Sequence, residues 1–236
     1  MNLFTRLFFH AAPPVLGAAE KARLDAWRRL PEPTRSANLA SSRFVVVDVE
    51  TTGLNLRRDK LIAIGAVAVE YGRIGLGDSF EIILQQPASS DKDNILIHGI
   101  GGTAQTGGVP PVEALLRFLE FLGNAPLVAF HVTFDKTMIK RAIRRYLGFN
   151  FKHPWLDLAY VMPGLNPPLA HRLRALDDWT SHFDIQNYAR HNALADALST
   201  AQLYLVAQEQ AGHKNIETYK GLQDLEKIQR WTSSAG

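Results

Sequence analysis

The stretch Phe44-Val45-Val46-Val47-Asp48-Val49-Glu50-Thr51-Thr52-Gly53 decides how this chain is read. Its apolar, β-branched run predicts a central strand covered on both faces. Side chains alternate along a strand, so Asp48 and Glu50 point the same way, with Cα atoms about 6–7 Å apart. Two carboxylates held like this at the tip of a buried strand can share a pair of divalent cations in a cleft. Gly53 then lets the backbone turn sharply away. Acids and a glycine also close strands simply by solvating the end and opening a turn, so the decision rests on what surrounds this segment.

Two further acids stand at the starts of helical patterns. Leu127-Val128-Ala129-Phe130 reads as a short strand, and a helix follows through Tyr146 with Phe134, Met138, Ile139, Ala142 and Ile143 on its apolar face. Thr133 is the expected N-cap, which puts Asp135 in the first turn, where an anion sits well against the helix dipole. Farther on, His191-Asn192-Ala193-Leu194-Ala195-Asp196 opens a final helix capped by Asn192. Positions five apart on an ideal helix differ in direction by about 140°. His191 and Asp196 therefore reach one site only if His191 lies outside the helix.

Asp48-x-Glu50-Thr51-Thr52-Gly53, the pair Phe134-Asp135 and His191-x4-Asp196 occur in the order and spacing of three exonuclease motifs. Together they resemble the DEDDh superfamily of 3′→5′ exonucleases, most of all the proofreading epsilon subunits of bacterial DNA polymerase III. The likeness runs from about Arg43 to Gln208 and includes Ile97-His98-Gly99-Ile100 as the loop before the first long helix. It implies an α/β, ribonuclease H-like fold with a mixed central sheet flanked by helices. It also implies a two-metal mechanism in which Asp48, Glu50, Asp135 and Asp196 bind two divalent ions, Mg2+ or Mn2+, while His191 acts as general base. Hard oxygen ligands favour those ions independently. Four carboxylates gathered without metal would repel one another and hold protons more tightly than usual.

The same resemblance sets Thr51, Thr52, Leu54, His98 and Phe134 against the terminal nucleotide. For the threonines and Leu54 turn geometry is the competing explanation, and for His98 it is capping of a turn. The second motif departs from the family pattern, with His131-Val132-Thr133 where other polar residues are usual. Asp135 is kept, so altered rate or preference is expected rather than lost catalysis. His131 reads as a locally satisfied loop or core histidine, and Asp157 as a structural acid.

The implied reaction is metal-dependent 3′→5′ hydrolysis of single-stranded or frayed DNA ends to nucleoside 5′-monophosphates, of the proofreading or repair type. A within-class alternative is trimming of RNA, as in oligoribonuclease or ribonuclease T relatives, because contacts near the 2′ position are not legible in sequence. A catalytically quiet module that binds nucleic acid or a polymerase is the alternative from another class. Expected partners are a single-stranded DNA or RNA 3′ end and a DNA polymerase or other replication or repair protein.

Composition limits the remainder. The chain has 236 residues, is 46% hydrophobic and contains no cysteine, which excludes thiolate zinc sites, cysteine nucleophiles and disulfides and fits a reducing cytoplasm. No phosphate-cradling glycine motif, H-E-x-x-H or G-x-S-x-G occurs. No apolar run is long enough for a membrane span, and the start, broken by His10 and Pro13-Pro14, argues against a signal peptide. The net charge of +3 permits a polyanionic partner without requiring one. Lys136, Lys140, Arg141, Arg144 and Arg145 crowd the helix opened by Asp135, either to steer phosphates or as a solvated face.

The expected organisation is an N-terminal helical extension and linker over 1–42, an exonuclease domain over 43–210 and a polar, weakly patterned tail over 211–236. The extension has an amphipathic helix from Val15 to Leu30 and is expected to pack on the catalytic domain, ahead of carrying a partner or lying on a membrane surface. Strands are predicted at 44–49, 61–70, 77–84, 127–130 and 155–158, and helices at 111–123, 134–147, 170–182 and 192–209.

Overall fold

A computed structural model describes residues 15–234; the reading of the first residues as lacking a signal peptide lies outside them. A five-stranded sheet in the order β3-β2-β1-β4-β5 forms its centre. Its strands are β1 (Phe44–Thr51), β2 (Leu61–Glu70), β3 (Arg73–Ile83), β4 (Leu127–Ala129) and β5 (Trp155–Asp157). The first three run as an antiparallel meander, while β4 and β5 add parallel to β1, so the sheet is mixed as expected. The third strand starts earlier than predicted because Tyr71 and Gly72, at φ 52° and 64°, make a tight turn that brings Arg73 straight back opposite Glu70.

The helices are α1 (Ala18–Arg28), α2 (Lys92–His98), α3 (Gly102–Thr106), α4 (Pro111–Leu122), α5 (Thr133–Tyr146), α6 (Leu158–Leu165), α7 (Leu176–His182), α8 (Ala193–His213) and α9 (Tyr219–Ser234). Alternation along β1 divides the core. Val45, Val47 and Val49 pack with Leu115, Leu119, Ile139 and Ile143 of α4 and α5. Phe44 and Val46 face the other side, against Leu158 of α6 and Ala197, Ala201 and Tyr204 of α8. Asp48 and Glu50 continue that second row, so the burial pattern of a central strand carries both acids toward α8.

Several sequence expectations are corrected. The helix expected from 170 begins only at Leu176, because Asp178 accepts from the amides of Arg174 and Ala175 and fixes the start there. The strand expected through 158 ends at Asp157, whose carboxylate accepts from the amide of Ala159 and starts α6. The tail expected over 211–236 is largely helical. Its polar face is laced by Lys220–Asp224 and Glu226–Arg230 pairs one turn apart, and its other face buries Tyr219 and Leu222.

The helix of the N-terminal extension packs on α4. Leu24 is buried, Arg23 bonds Glu113 at 2.5 Å and Glu120 at 2.7 Å, and the Trp27 indole donates to the carbonyl of Gly123. The following linker is tied to the entrance of α9 through a bridge between Asn38 and Thr218.

Candidate active site

The end of β1, where its parallel neighbour β4 also ends, is where the acids gather. One carboxylate oxygen each from Asp48, Glu50 and Asp196 lie within 4.8 Å of one another. Asp135, in the first turn of α5, is buried and close enough that its charge discourages ionisation of Asp48. Burial chiefly, then Asp135, Asp196 and Glu50, hold the Asp48 carboxyl well above the usual carboxylate range. Glu50 is pushed up to about 8, again by burial first and then by Asp196. Burial and the nearby Asp157 and Glu50 also raise Asp135, against backbone amides of Asp135 and Val49 that favour its charged form.

The fourth acid arrives on α8, whose approach depends on small residues. Gly65 of β2 is the register partner of Asp48. A Cβ on Gly65 would lie 2.1 Å from the carbonyl carbon of Ala193, so the absence of a side chain is what lets the first turn of α8 rest on the sheet. Asn192 caps this helix as expected, accepting from the amide of Ala195. His191 lies outside it at φ 60°, and its amide donates to Oδ2 of Asp196 at 2.9 Å. Its imidazole is exposed at the cleft. Oδ1 of Asp196 accepts from Arg190 at 2.5 Å and from the side-chain amide of Asn187. Arg190 also bonds Asp177 at 2.7 Å. Neither Arg190 nor Asn187 was singled out from sequence, where nothing in spacing distinguishes them from other residues of a polar loop.

Around α5 one expectation fails. Thr133 is the first helical residue rather than the cap, and Val132 precedes it without a side-chain cap bond. The chain enters instead through His131 at φ 63°, its amide donating to Oδ1 of Asp157. Asp157 is almost fully buried, with its other oxygen on Arg230 of α9 at 2.7 Å, so it has the structural role read for it. The side chain of His131 is exposed and packs edge-on against Phe130.

After β1 the chain makes a turn stiffened from within. The Thr51 hydroxyl donates to the carbonyl of Gly53, and the Thr52 hydroxyl meets Asp59 and accepts from the amide of Lys60. Gly53 has no room for a side chain, since a Cβ would sit 2.6 Å from an Asp59 oxygen. Arg141 reaches from α5 to bond the carbonyls of Leu56, Arg57 and Asp59, so this member of the basic row holds the turn rather than facing solvent. Leu54 projects from the turn, 85% exposed.

Beside His191 a cleft of about 900 Å³ is lined by Leu96, Ile97, His98, Ile100 and residues 189–193. His98 is buried in its wall, its Nδ1 accepting from the amide of Ile100, so it closes a turn while bordering the cleft. Burial holds the His98 imidazole below its usual range. Ile97 and His98 end α2 rather than forming a plain loop, with Gly99 stopping the helix at φ 70°. Phe134 is half-buried and packs against the α4–α5 side of the core.

The donor set fits a hard divalent cation. Three carboxylate oxygens share one small volume and a fourth carboxylate adjoins them, while burial first and neighbouring acids second raise the proton affinities of Asp48, Glu50 and Asp135. The sheet order and the acids at the end of its central strand define a nuclease domain of the ribonuclease H-like class. The exonuclease family model RNase_T matches residues 45–204, and the chain belongs to that family.

Among similar proteins, the DNA polymerase III subunit epsilon of Aquifex aeolicus is 30% identical over 195 residues, 80% of this chain and 93% of that one. A PolC-type DNA polymerase III of Thermotoga petrophila is 30% identical over 169 residues, 72% of this chain but 12% of that protein, so this chain spans only a small part of the polymerase's length. Exonuclease I of E. coli, solved in complex with a dT13 oligonucleotide, superposes with a TM-score of 0.61 at 18% identity over 73% of this chain and 42% of that one. Among the described residues no helix is long and apolar enough to cross a membrane.

Proposed function

We propose that this protein is a 3′→5′ exonuclease that removes nucleotides from single-stranded or frayed DNA ends as 5′-monophosphates. The observation that carries the reading is the meeting of Asp48, Glu50 and Asp196 within 4.8 Å beside the buried Asp135, on an exonuclease-family fold. These four residues would hold Mg2+ or Mn2+, which when bound supply positive charge to the attacking and departing oxygens of phosphodiester hydrolysis.

The chain's own groups do the rest. His191 stands outside α8 with an exposed imidazole, suited to take a proton from the attacking water as it approaches phosphorus. The amide of His191 fixes Asp196, so base and ligand keep a constant relation through one bond. Leu54 and the wall near His98 supply apolar surface for a terminal base, while Thr51 and Thr52 act by keeping the turn in shape. The likeness to an epsilon subunit supports a replicative polymerase as partner, in the cytoplasm.

The test is hydrolysis of 5′-labelled DNA and RNA oligomers by the purified chain, with Mg2+ or with chelator, alongside Asp48→Ala. Stepwise shortening of DNA from its 3′ end, abolished by chelator and by the substitution, is expected. Equal rates for Asp48→Ala would overturn the site, and a preference for RNA would move the substrate to RNA ends.

A further inference from the structure

We propose that a groove beside α5 is a second nucleic-acid contact, holding phosphodiester backbone several nucleotides from the bond being cleaved; it rests on the exonuclease reading for its choice of polyanion. The groove, about 990 Å³, lies between α5, the Lys152–Trp155 approach to β5, the 32–35 linker and α9. Lys136, Lys140 and Arg144 recur every four residues on α5, which sets them about 6 Å apart along one face at 1.5 Å rise per residue. Lys152 faces them from the approach to β5, and Arg35 comes from the linker.

All five of these side chains are exposed, and among the described residues none forms an ion pair with a carboxylate. Other exposed cations, such as Arg57, Arg58 and Lys92, also lack an ion pair among the described residues, so the mark of the groove is the gathering of five in one place. Of the two acids in the groove wall, Glu226 is engaged by Arg230 and by the amide of Asp157, which leaves Glu32 alone to offset five positive charges. Like charges collected without partners repel one another, so the arrangement is stabilised by an anion.

A regular backbone anion suits the groove better than an acidic protein does. Its cations form a row at near-constant spacing, and its main aromatic, Trp155, is buried in the floor and offers no anchoring pocket. One end of the groove also begins at Val132 and Thr133, three and two residues before Asp135, so a strand with its end at the acids has backbone to spare in this direction. Arg35 lies outside the family-matched segment 45–204, as does all of α9.

The experiment measures binding of fluorescein-labelled dT5 and dT25 to the full chain in chelator, across a salt series. The variant Lys140→Gln/Arg144→Gln/Lys152→Gln is compared with the charge-matched control Arg28→Gln/Lys220→Gln/Lys227→Gln. Three lost phosphate contacts on a single strand lower the slope of log K against log salt by about 2. That fall, with at least tenfold weaker dT25 binding, under twofold change for dT5 and no fall for the control, is expected.

An unchanged dT25 slope, an equal loss for dT5 or an equal effect of the control overturns the groove. Displacement of dT25 by polyglutamate at equal charge concentration overturns it in favour of an acidic protein. Thermal melting verifies that the variant is folded. The underlying reading is tested apart, by hydrolysis of dT5 by the unaltered chain in Mg2+: if that fails while the slopes respond, the groove stands and the exonuclease reading falls.

Discussion

Gly65 of β2 and Ala193 at the start of α8 meet so closely that a Cβ on the glycine would lie 2.1 Å from the alanine carbonyl carbon. Because Gly65 is paired with Asp48, this contact sets the distance between the acids of β1 and the acid of α8. Gly65→Ala is expected to push α8 outward, destabilise the fold by about 1–3 kcal/mol as overpacking does, and lower hydrolysis by about 100-fold through misplaced ligands. Gly77→Ala, where the added methyl meets open space, should leave both unchanged. Denaturant unfolding and the oligonucleotide assay check this, and a Gly65→Ala enzyme of normal rate would refute the positioning role.

Arg190 puts a positive charge against Asp196 in the same place where a cation is expected. It also lowers the proton affinity of Asp48 and Glu50, so its field reaches the whole cluster. A resident guanidinium competes with an incoming ion by repulsion and by occupying Oδ1. Arg190→Gln should therefore tighten Mn2+ binding severalfold in calorimetry while making the metal-free protein less stable. Weaker Mn2+ binding would show instead that Arg190 is needed to hold Asp196 in place.

The raised carboxyls give a pH dependence of definite sign. Folded Glu50 keeps its proton to about pH 8, whereas its ordinary value is 4.5, and Asp48 and Asp135 shift the same way. Between those limits the folded state binds more protons than the unfolded one, so stability of the metal-free protein falls as pH rises from about 5 to 8. Each kcal/mol lost lowers Tm by about 2–4 °C at this chain length. Melting in chelator should show this decline, Glu50→Gln should flatten it, and the Tm gain from Mg2+ should grow with pH. A flat chelator profile for the unaltered protein would mean the acids are not crowded in solution.

What was legible before the structure follows from which interactions are local. The apolar run from Phe44 to Val49 states its own burial, and Asn192 caps α8 by accepting from the amide of Ala195 three residues on, so the strand, the cap and the place of His191 outside the helix could be read. Thr133 carried the same local signal, but the fold satisfies that helix entrance through His131 and Asp157, 26 residues apart. The helix α9 was missed because its apolar face is supplied with partners only by tertiary packing of Tyr219 and Leu222. Gly65 did carry a sign, a glycine inside an otherwise apolar strand, yet its partner Ala193 is fixed only by the long crossover that returns α8 to the sheet. Arg141 read as one of a basic row, and its engagement with three carbonyls of the 56–59 turn depends on a contact over 80 residues away.

Arg230 and Asp157 link α9 to the acidic cluster. Arg230 donates to Asp157, which is nearly fully buried, and lies 4.0 Å above the Tyr160 ring. Asp157 in turn accepts from the amide of His131 at the entrance to α5, and its charge raises the proton affinity of Asp135. Removing Arg230 leaves a buried carboxylate without its cation, a loss of about 3–5 kcal/mol for a fully buried pair and less here, because the guanidinium is about one-third exposed. Arg230→Met should cost about 2–3 kcal/mol in urea unfolding. Asp157→Asn added to it should recover part of that loss, because the stranded charge is gone while the amide oxygen still accepts from His131 and Ala159. Strictly additive losses in the double variant would mean that the two residues stabilise the protein independently and that α9 does not brace the acidic cluster.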